Sequence, residues 1–342
     1  MARRHNTGPH VATAGIVRAI EGFAAFGFCR SHAAAFARTS YETVWLKLHH
    51  PAEFYCGLLN NQPMGFYHPS VLVEDAKRHG TAVLPVDINR SADRCLPEYD
   101  NAIRLGFNYV KELGEKPRQA IFLERSHGDF TSFDDFQDRM RRNPPTAEAV
   151  QNLVMVGAFE SLGIARRELL WRWQEGQRAR GRKRGLDPQS SLRLNAAPPP
   201  LRGVTPIENT RLEYAISELS TGRHLVHYWR DRLDALGVLD SLQAQRVATG
   251  RTLRVGGLVI VRQAPGTAKK IRFFTIEDEL GHVNVTFMPD IYERYRKVAN
   301  SNSILVVEGV MQRQDGVHSV LAKSVLGLQP KDAELPTSHD YR

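Results

Sequence analysis

The strings whose residue types suit chemistry are few, and they point to a polyanion. Gly27-Phe28-Cys29-Arg30-Ser31-His32 sets a guanidinium, a hydroxyl and an imidazole on successive residues ahead of Ala33-Ala34-Ala35. An arginine grips phosphate bidentately, Ser31 and His32 can donate hydrogen bonds, and a helix start adds a positive dipole end. The plainer role for Ser31 is to cap that helix. Two glycine turns come next. Leu113-Gly114 leads into a helix expected over Lys116–Leu123, and Gly157-Ala158-Phe159 follows one expected over Ala147–Met155. Short helices joined this way expose backbone N–H groups that hold a DNA phosphate without reading sequence. Ordinary packing with glycine caps gives the same pattern. Between Ser161 and Gly185 stand eight basic residues, Arg166 and Arg167 included, against two acids, with Trp171 and Trp173 among them. Such a run binds polyanions in a salt-sensitive way, or is simply a solvated helix face. The fourth string carries Arg262, Lys269, Lys270 and Arg272 around a loop, with Phe273 or Phe274 as a stacking surface. Alternation turns one ring into the core, and Phe274 with Ile276 is the expected inward pair.

Other chemistry finds little support. The chain contains no GxxxxGK[ST], HExxH or GxSxG. The pairs His49-His50 and His224/His227 lack a third nearby ligand, so no metal site and no catalytic residue is expected. A length of 342 residues suggests two or three domains. The net charge of +9 favours acidic partners. Cys29, Cys56 and Cys95 are widely spaced, which fits a reducing cytoplasm and not a zinc ribbon. No apolar run reaches the roughly 18 residues of a spanning helix, and no apolar stretch follows the basic N-terminus, so neither membrane nor export is expected.

These strings need elements to position them. Val44, Trp45 and Leu48 mark a helical face that Phe54, Tyr55, Leu58 and Leu59 continue past a break at Pro51. A second helix opens at Pro69 and closes before Gly80, with Lys77, Arg78 and His79 in its last turn. Residues 105–175 read as short helices, 186–206 as a proline-rich linker, and 208–240 as two further helices. After Thr249 the period changes to two. Five strands are expected, Leu253–Arg262, Ile271–Glu277, Val283–Phe287, Ile304–Gln312 and Val317–Ser324, with a helix over Ile291–Val298 between the third and fourth. That order is the pattern of an OB fold, a small barrel that binds oligonucleotides.

Several separated strings resemble one family in its own order. GFAAFGFCRSHAAAFARTSYETVWLKLHHPAEFYCGLLN, from Gly22, is similar to the end of the fingers in bacterial DNA polymerase III alpha subunits. NQPMGFYHPSVLVEDAKRHGTAVLPVDIN, VMVGAFESLGIARRELLW and GGLVIVRQAPGTAKKIRFFTIEDELGHVNV resemble its error-prone branch. The resemblance runs from about Gly22 to Leu328. It implies a multidomain α+β chain in which a helical fingers and tandem helix–hairpin–helix region precedes a five-stranded OB-fold β-barrel. The expected boundaries are distal fingers over 1–100, helix–hairpin–helix domain over 101–185, linker over 186–206, helical connector over 207–249, OB domain over 250–328 and a disordered tail over 329–342. Arg30, Ser31 and His32 are then nucleotide-proximal. Gly114, Lys116, Gly157, Arg166, Arg167, Arg262, Lys269, Lys270, Arg272 and Phe273 are the expected DNA contacts. The chain has Phe26 where the family often has tyrosine, and Glu112 where its first hairpin usually has glycine.

The resemblance implies the DNA-binding C-terminal portion of an error-prone DNA-directed DNA polymerase, acting in replication, damage-tolerant synthesis and repair. In the family, aspartates of a palm hold two Mg²⁺ ions. No segment here resembles that palm, so the chain alone is expected to be inactive and without cofactor. Expected partners are primer–template duplex, single-stranded template, a missing N-terminal polymerase half and translesion accessory proteins. The alternative is a non-catalytic accessory module that binds single-stranded nucleic acid. The linker is expected to let the OB domain move.

Overall fold

The computed structural model describes residues 30–65, 67–182, 200–267, 270–314, 316–328 and 339–341. The chain divides into two compact units, Met1–His50 and Pro51–Arg342. In the first, α1 (Arg30–His49) buries none of its residues and exposes Phe36, Tyr41, Val44 and Leu48. Helix α1 ends at His49, two residues before Pro51, as the proline requires.

The second unit opens with α2 (Pro51–Asn60) and α3 (Pro69–Arg78). Pro69 takes the first helical position of α3, His68 Nδ1 accepts from Ser70 N–H, and Gly80 follows at φ 79°. A small sheet follows, with β3 (Ala102–Arg104) between β1 (Ala82–Leu84) and β2 (Leu96–Glu98). Then come α4 (Glu115–Arg125), α5 (Phe133–Arg139), α6 (Ala147–Met155) and α7 (Arg166–Arg182). One core runs through all of them, from Ala52 and Tyr55 to Trp173, Ile216 and Leu219. The boundary expected at residue 100 therefore falls inside a single core. Residues 51–100 are short elements whose burial depends on packing with distant segments, including α4–α7, which local sequence does not show.

The connector consists of α8 (Pro206–Ser217), a 3₁₀ turn over Leu225–Trp229, α9 (Arg230–Ala235) and α10 (Ser241–Arg246). Thr205 and Glu208 form a reciprocal capping box at the start of α8, which fixes where the proline-rich stretch gives way to helix.

The barrel comprises β4 (Thr252–Gln263), β5 (Arg272–Glu277), β6 (His282–Phe287), α11 (Pro289–Ser301), β7 (Ile304–Gln314) and β8 (Val317–Leu328). The pairings β4–β5, β5–β6, β6–β8, β8–β7 and β7–β4 close into a ring, the five-stranded barrel expected of an OB fold. Gly257 makes the closure possible, because a Cβ there would strike the Glu277 carbonyl on the crossing strand. Leu253, Val255, Val259, Leu305 and Val307 point into the barrel. Their neighbours Leu258, Ile260, Ile304 and Val306 point outward and are buried under Leu225, Val226, Trp229 and Leu233 of the connector and Val71 of α3. The long apolar run of β4 follows from this burial on both faces. Part of the tail expected to be disordered is ordered: β9 (His339–Tyr341) pairs in parallel with Val261–Gln263.

The turn after β5 joins the barrel to the helices. Glu277, 1% exposed, accepts from Arg78 Nη1 at 3.0 Å and lies 2.9 Å from His282 Nε2. His224 Nδ1 accepts from Val226 N–H, which turns its Nε2 toward Glu277 at 3.5 Å. Asp278 accepts from Ser241 N–H and Oγ–H, both at 2.6 Å, and Arg230 grips Glu279 with two nitrogens. Residues on both sides of the linker thus contact the barrel. Of the linker, 186–199 lie outside the described residues.

Burial pushes the Glu277 carboxyl upward, but the imidazoles of His224 and His282 beside it prevail and hold it at about 2, below the ordinary 4.5. Arg78 adds positive charge to the same carboxylate, and buried Glu74 adds negative charge nearby. The unfolded chain therefore takes up a proton that the folded chain refuses. Glu277 contributes up to about 3 kcal/mol above pH 4.5, and the contribution falls away as pH drops toward 2. Urea unfolding is expected to show a steeper loss between pH 5 and 3 for the parent than for Glu277→Gln. Parallel curves would refute this.

Candidate nucleic-acid interface

Two surfaces meet the requirements for holding nucleic acid. The first is built from the hairpins. Between the 3₁₀ turn Phe107–Tyr109 and α4, Glu112 adopts φ 64°, the left-handed position that a glycine takes without penalty. Gly114 is the N-cap residue of α4 with φ −62°, exposed beside exposed Lys116. The second hairpin leaves α6 through Gly157 at φ 83° and enters α7 through Gly163 at φ 78°. Asn152 of α6 donates to the Lys111 carbonyl at 2.9 Å and ties the two hairpins together. An edge-on aromatic cluster of Phe133, Phe136, Phe159 and Trp173 supports them from below.

Several expected contacts have other partners. Gly157 is buried and its N–H bonds to the Val154 carbonyl. Arg166 is 6% exposed, bound to Glu160 at 2.8 Å and to the Met155 carbonyl at 2.9 Å, and a Cβ on Gly157 would strike its guanidinium. Arg166 therefore braces the hairpin from inside. The exposed glycine of this hairpin is Gly163, which sequence reasoning missed although it stands three residues before α7. Arg167 pairs with Glu208 and donates to the Arg202 carbonyl, at the lip of a cleft of about 270 Å³ between the start of α7 and Leu201–Val204. Lys111 bonds to the Ala215 carbonyl and Glu218. Trp173 is core, and Arg172 pairs with Glu168.

The second surface is the outward face of β5, β6 and β8, the part of the barrel that the connector leaves open. Register sets Phe273 opposite Thr286 and Thr275 opposite Asn284, with Ser319 beside Asn284 and Leu321 beside Thr286. Phe273 is 37% exposed, while Phe274 is 3% exposed and packs with Phe287 in the core. The expected inward pair, Phe274 and Ile276, is therefore correct. The polar residues of this face carry no charge or motif, so the sequence reading passed over them. Strand pairing is what assembles them. The expected basic quartet is split. Arg262 donates to the Ala299 and Asn302 carbonyls and lies over Phe274, fastening α11. Arg272 lies over the Tyr292 ring, on the side of β5 away from Phe273. Lys270 is exposed at φ 68° in the loop, and Lys269 lies outside the described residues.

Arg30, Ser31 and His32 form the first turn described in α1, all exposed, with His32 edge-on to Phe36. Ser31 is inside the helix and not ahead of it. Phe26 lies outside the described residues. Among the described residues no three of His, Cys, Asp or Glu converge on a metal position. The consecutive acids Glu277, Asp278 and Glu279 face arginines, histidines and a serine, so this donor set does not fit a magnesium ion. No helix among the described residues is long and apolar enough to cross a membrane.

Residues 80–169 match the helix-hairpin-helix motif family, and residues 253–326 the OB-fold nucleic acid binding domain family. The error-prone DNA polymerase of Burkholderia pseudomallei is 37% identical over 94% of this chain and 30% of its own length. That of Mycolicibacterium paratuberculosis is 37% identical over 89% of this chain and 27% of its own. The chain is a homologue of the error-prone DNA polymerases. It spans under a third of the length of these polymerase relatives. Among solved structures, an asparaginyl-tRNA synthetase from Pyrococcus horikoshii is 20% identical over 27% of this chain and 23% of its own, with a TM-score of 0.24.

Two substitutions probe these surfaces. Glu112→Gly relieves a left-handed side chain and is expected to stabilise the chain by about 0.5–1 kcal/mol in chemical unfolding. A destabilised variant would mean that Glu112 makes a compensating contact. Phe273→Ala, at an exposed ring, is expected to weaken binding of a single-stranded oligonucleotide roughly 5- to 150-fold by anisotropy, the effect of losing one stacked base. Unchanged affinity would place the strand elsewhere.

Proposed function

We propose that this chain is the C-terminal, DNA-holding portion of an error-prone DNA-directed DNA polymerase that works in replication past damage and in repair. The observation that carries the reading is the pairing, in one chain, of a helix–hairpin–helix region and an open-faced OB barrel aligned along almost its whole length with such polymerases. In this reading the hairpins at Gly114–Lys116 and around Gly163 hold primer–template duplex through backbone N–H groups, with exposed Lys116 adding charge. The face of Phe273, Thr275, Asn284 and Thr286 holds single-stranded template by stacking and hydrogen bonding. Lys270 supplies charge at the loop beside it, with Lys269 its neighbour in sequence. Arg30, Ser31 and His32 lie near the incoming nucleotide.

In this reading the carboxylates that would hold catalytic magnesium belong to an N-terminal polymerase half outside this chain, and magnesium held there would supply activation of the primer hydroxyl. The exposed apolar side chains of α1, Phe36, Tyr41, Val44 and Leu48, support such a partner more than a standalone accessory module. Translesion accessory proteins are further partners, and the cytoplasm is the compartment.

Primer extension with the pure chain, Mg²⁺ and all four deoxynucleotides is expected to give no incorporation, while the same chain shifts a primer–template in low salt and releases it as salt rises. Incorporation by the pure chain would overturn the division of labour. Absence of any shift at low salt would overturn DNA holding.

A further inference from the structure

The sequence of 186–206 suggests a hinge, and the turn Glu277-Asp278-Glu279 suggests the opposite. That turn lies at one end of β5, on the same outward row as Phe273 and Thr275, so the exposed ring and the buried carboxylate are four residues, about 13 Å, apart on one face. Three elements of the helical body converge on it. Helix α3 supplies Arg78 to Glu277, the start of α9 supplies Arg230 to Glu279, and the start of α10 supplies Ser241 to Asp278. Lys77, next to Arg78, reaches across to the Ser220 and Gly222 carbonyls of the connector at 3.3 and 2.7 Å. Arg78 comes from before the linker and Arg230 from after it, so the clasp bridges the stretch that would otherwise act as a hinge.

We propose that the acidic turn is a lock: it fixes the outward face of the barrel to the helical body, and the two turn as one unit. The physical reason is that letting go exposes nothing useful to Glu277. It is buried with three partners, and a partial opening takes away Arg78 and His224 and leaves a desolvated carboxylate with His282 alone before water can reach it. Domain pairs joined by a linker ordinarily move. Here the interface combines an apolar layer under Leu258 and Ile304 with this polar turn, so rotation must break both at once. The lock operates whether or not either surface carries DNA.

The test is a distance distribution measured by electron spin resonance between labels at Lys116→Cys and Val317→Cys, both exposed positions, in a Cys29→Ser background. The full chain is expected to give one narrow peak. The pair Arg78→Met/Arg230→Met, which leaves the barrel sequence intact, is expected to widen it about twofold, and Arg78→Lys/Arg230→Lys to restore most of the sharpness. A broad distribution in the parent overturns the lock. So does a Met/Met variant as narrow as the parent with an unchanged far-ultraviolet circular dichroism spectrum. Should the Met/Met variant lose its helical signal, Glu279→Gln decides, since it loosens only the partly exposed Arg230 pair: a wider peak supports the lock and an unchanged one overturns it.

Discussion

A single buried carboxylate organises the second unit. Glu277 would be costly to bury alone, and the chain meets that cost by bringing Arg78, His224 and His282 to it from three separate segments. Each partner arrives on an element whose own start and stop are locally specified: Pro69 and Gly80 bound α3, His224 caps a 3₁₀ turn, and His282 opens β6 opposite Glu277. The ionic contacts are short because the apolar layer beside them has already fixed the spacing. Leu225, Val226 and Trp229 cover β4 and β7, and the acidic turn then meets α3 at the rim of that layer.

The same arrangement decides which face of the barrel is available. Strands β4 and β7 are covered on their outer side by the connector, and α11 closes one end of the interior through Ala299, Tyr292 and Tyr295. What remains is the face of β5, β6 and β8, with one exposed ring and a row of uncharged hydrogen-bonding side chains. A surface of that kind favours stacking over charge attraction. The chain's positive excess therefore serves approach and backbone contact more than recognition.

Much of this was legible from residue patterns. Five strands with a helix between the third and fourth were readable because each strand alternates and each turn carries glycine or proline, and the elements agree to within a few residues. The inward Phe274 followed from alternation alone. What could not be read was partnership. Arg166, Arg262 and Arg272 look like DNA contacts in a basic chain, yet each is occupied: by Glu160, by the carbonyls ending α11, and by the ring of Tyr292. Local sequence gives a charge without its partner when that partner is many residues away, as Arg78 is from Glu277. The boundary expected near residue 100 failed for the same reason. The linker at 186–206 marked a compositional change and said nothing of the contacts that bypass it.

The short strand β9 has a consequence for behaviour in concentrated solution. Strand β4 is longer than its partner β7 needs: pairing with β7 stops at Leu258, and the segment Val261–Gln263 projects beyond it with a row of backbone groups turned outward. Unpaired rows of this kind are templates on which other chains add and aggregate. His339–Tyr341 fills that row from within the same molecule, so this short stretch covers an edge on which another chain could otherwise add a strand.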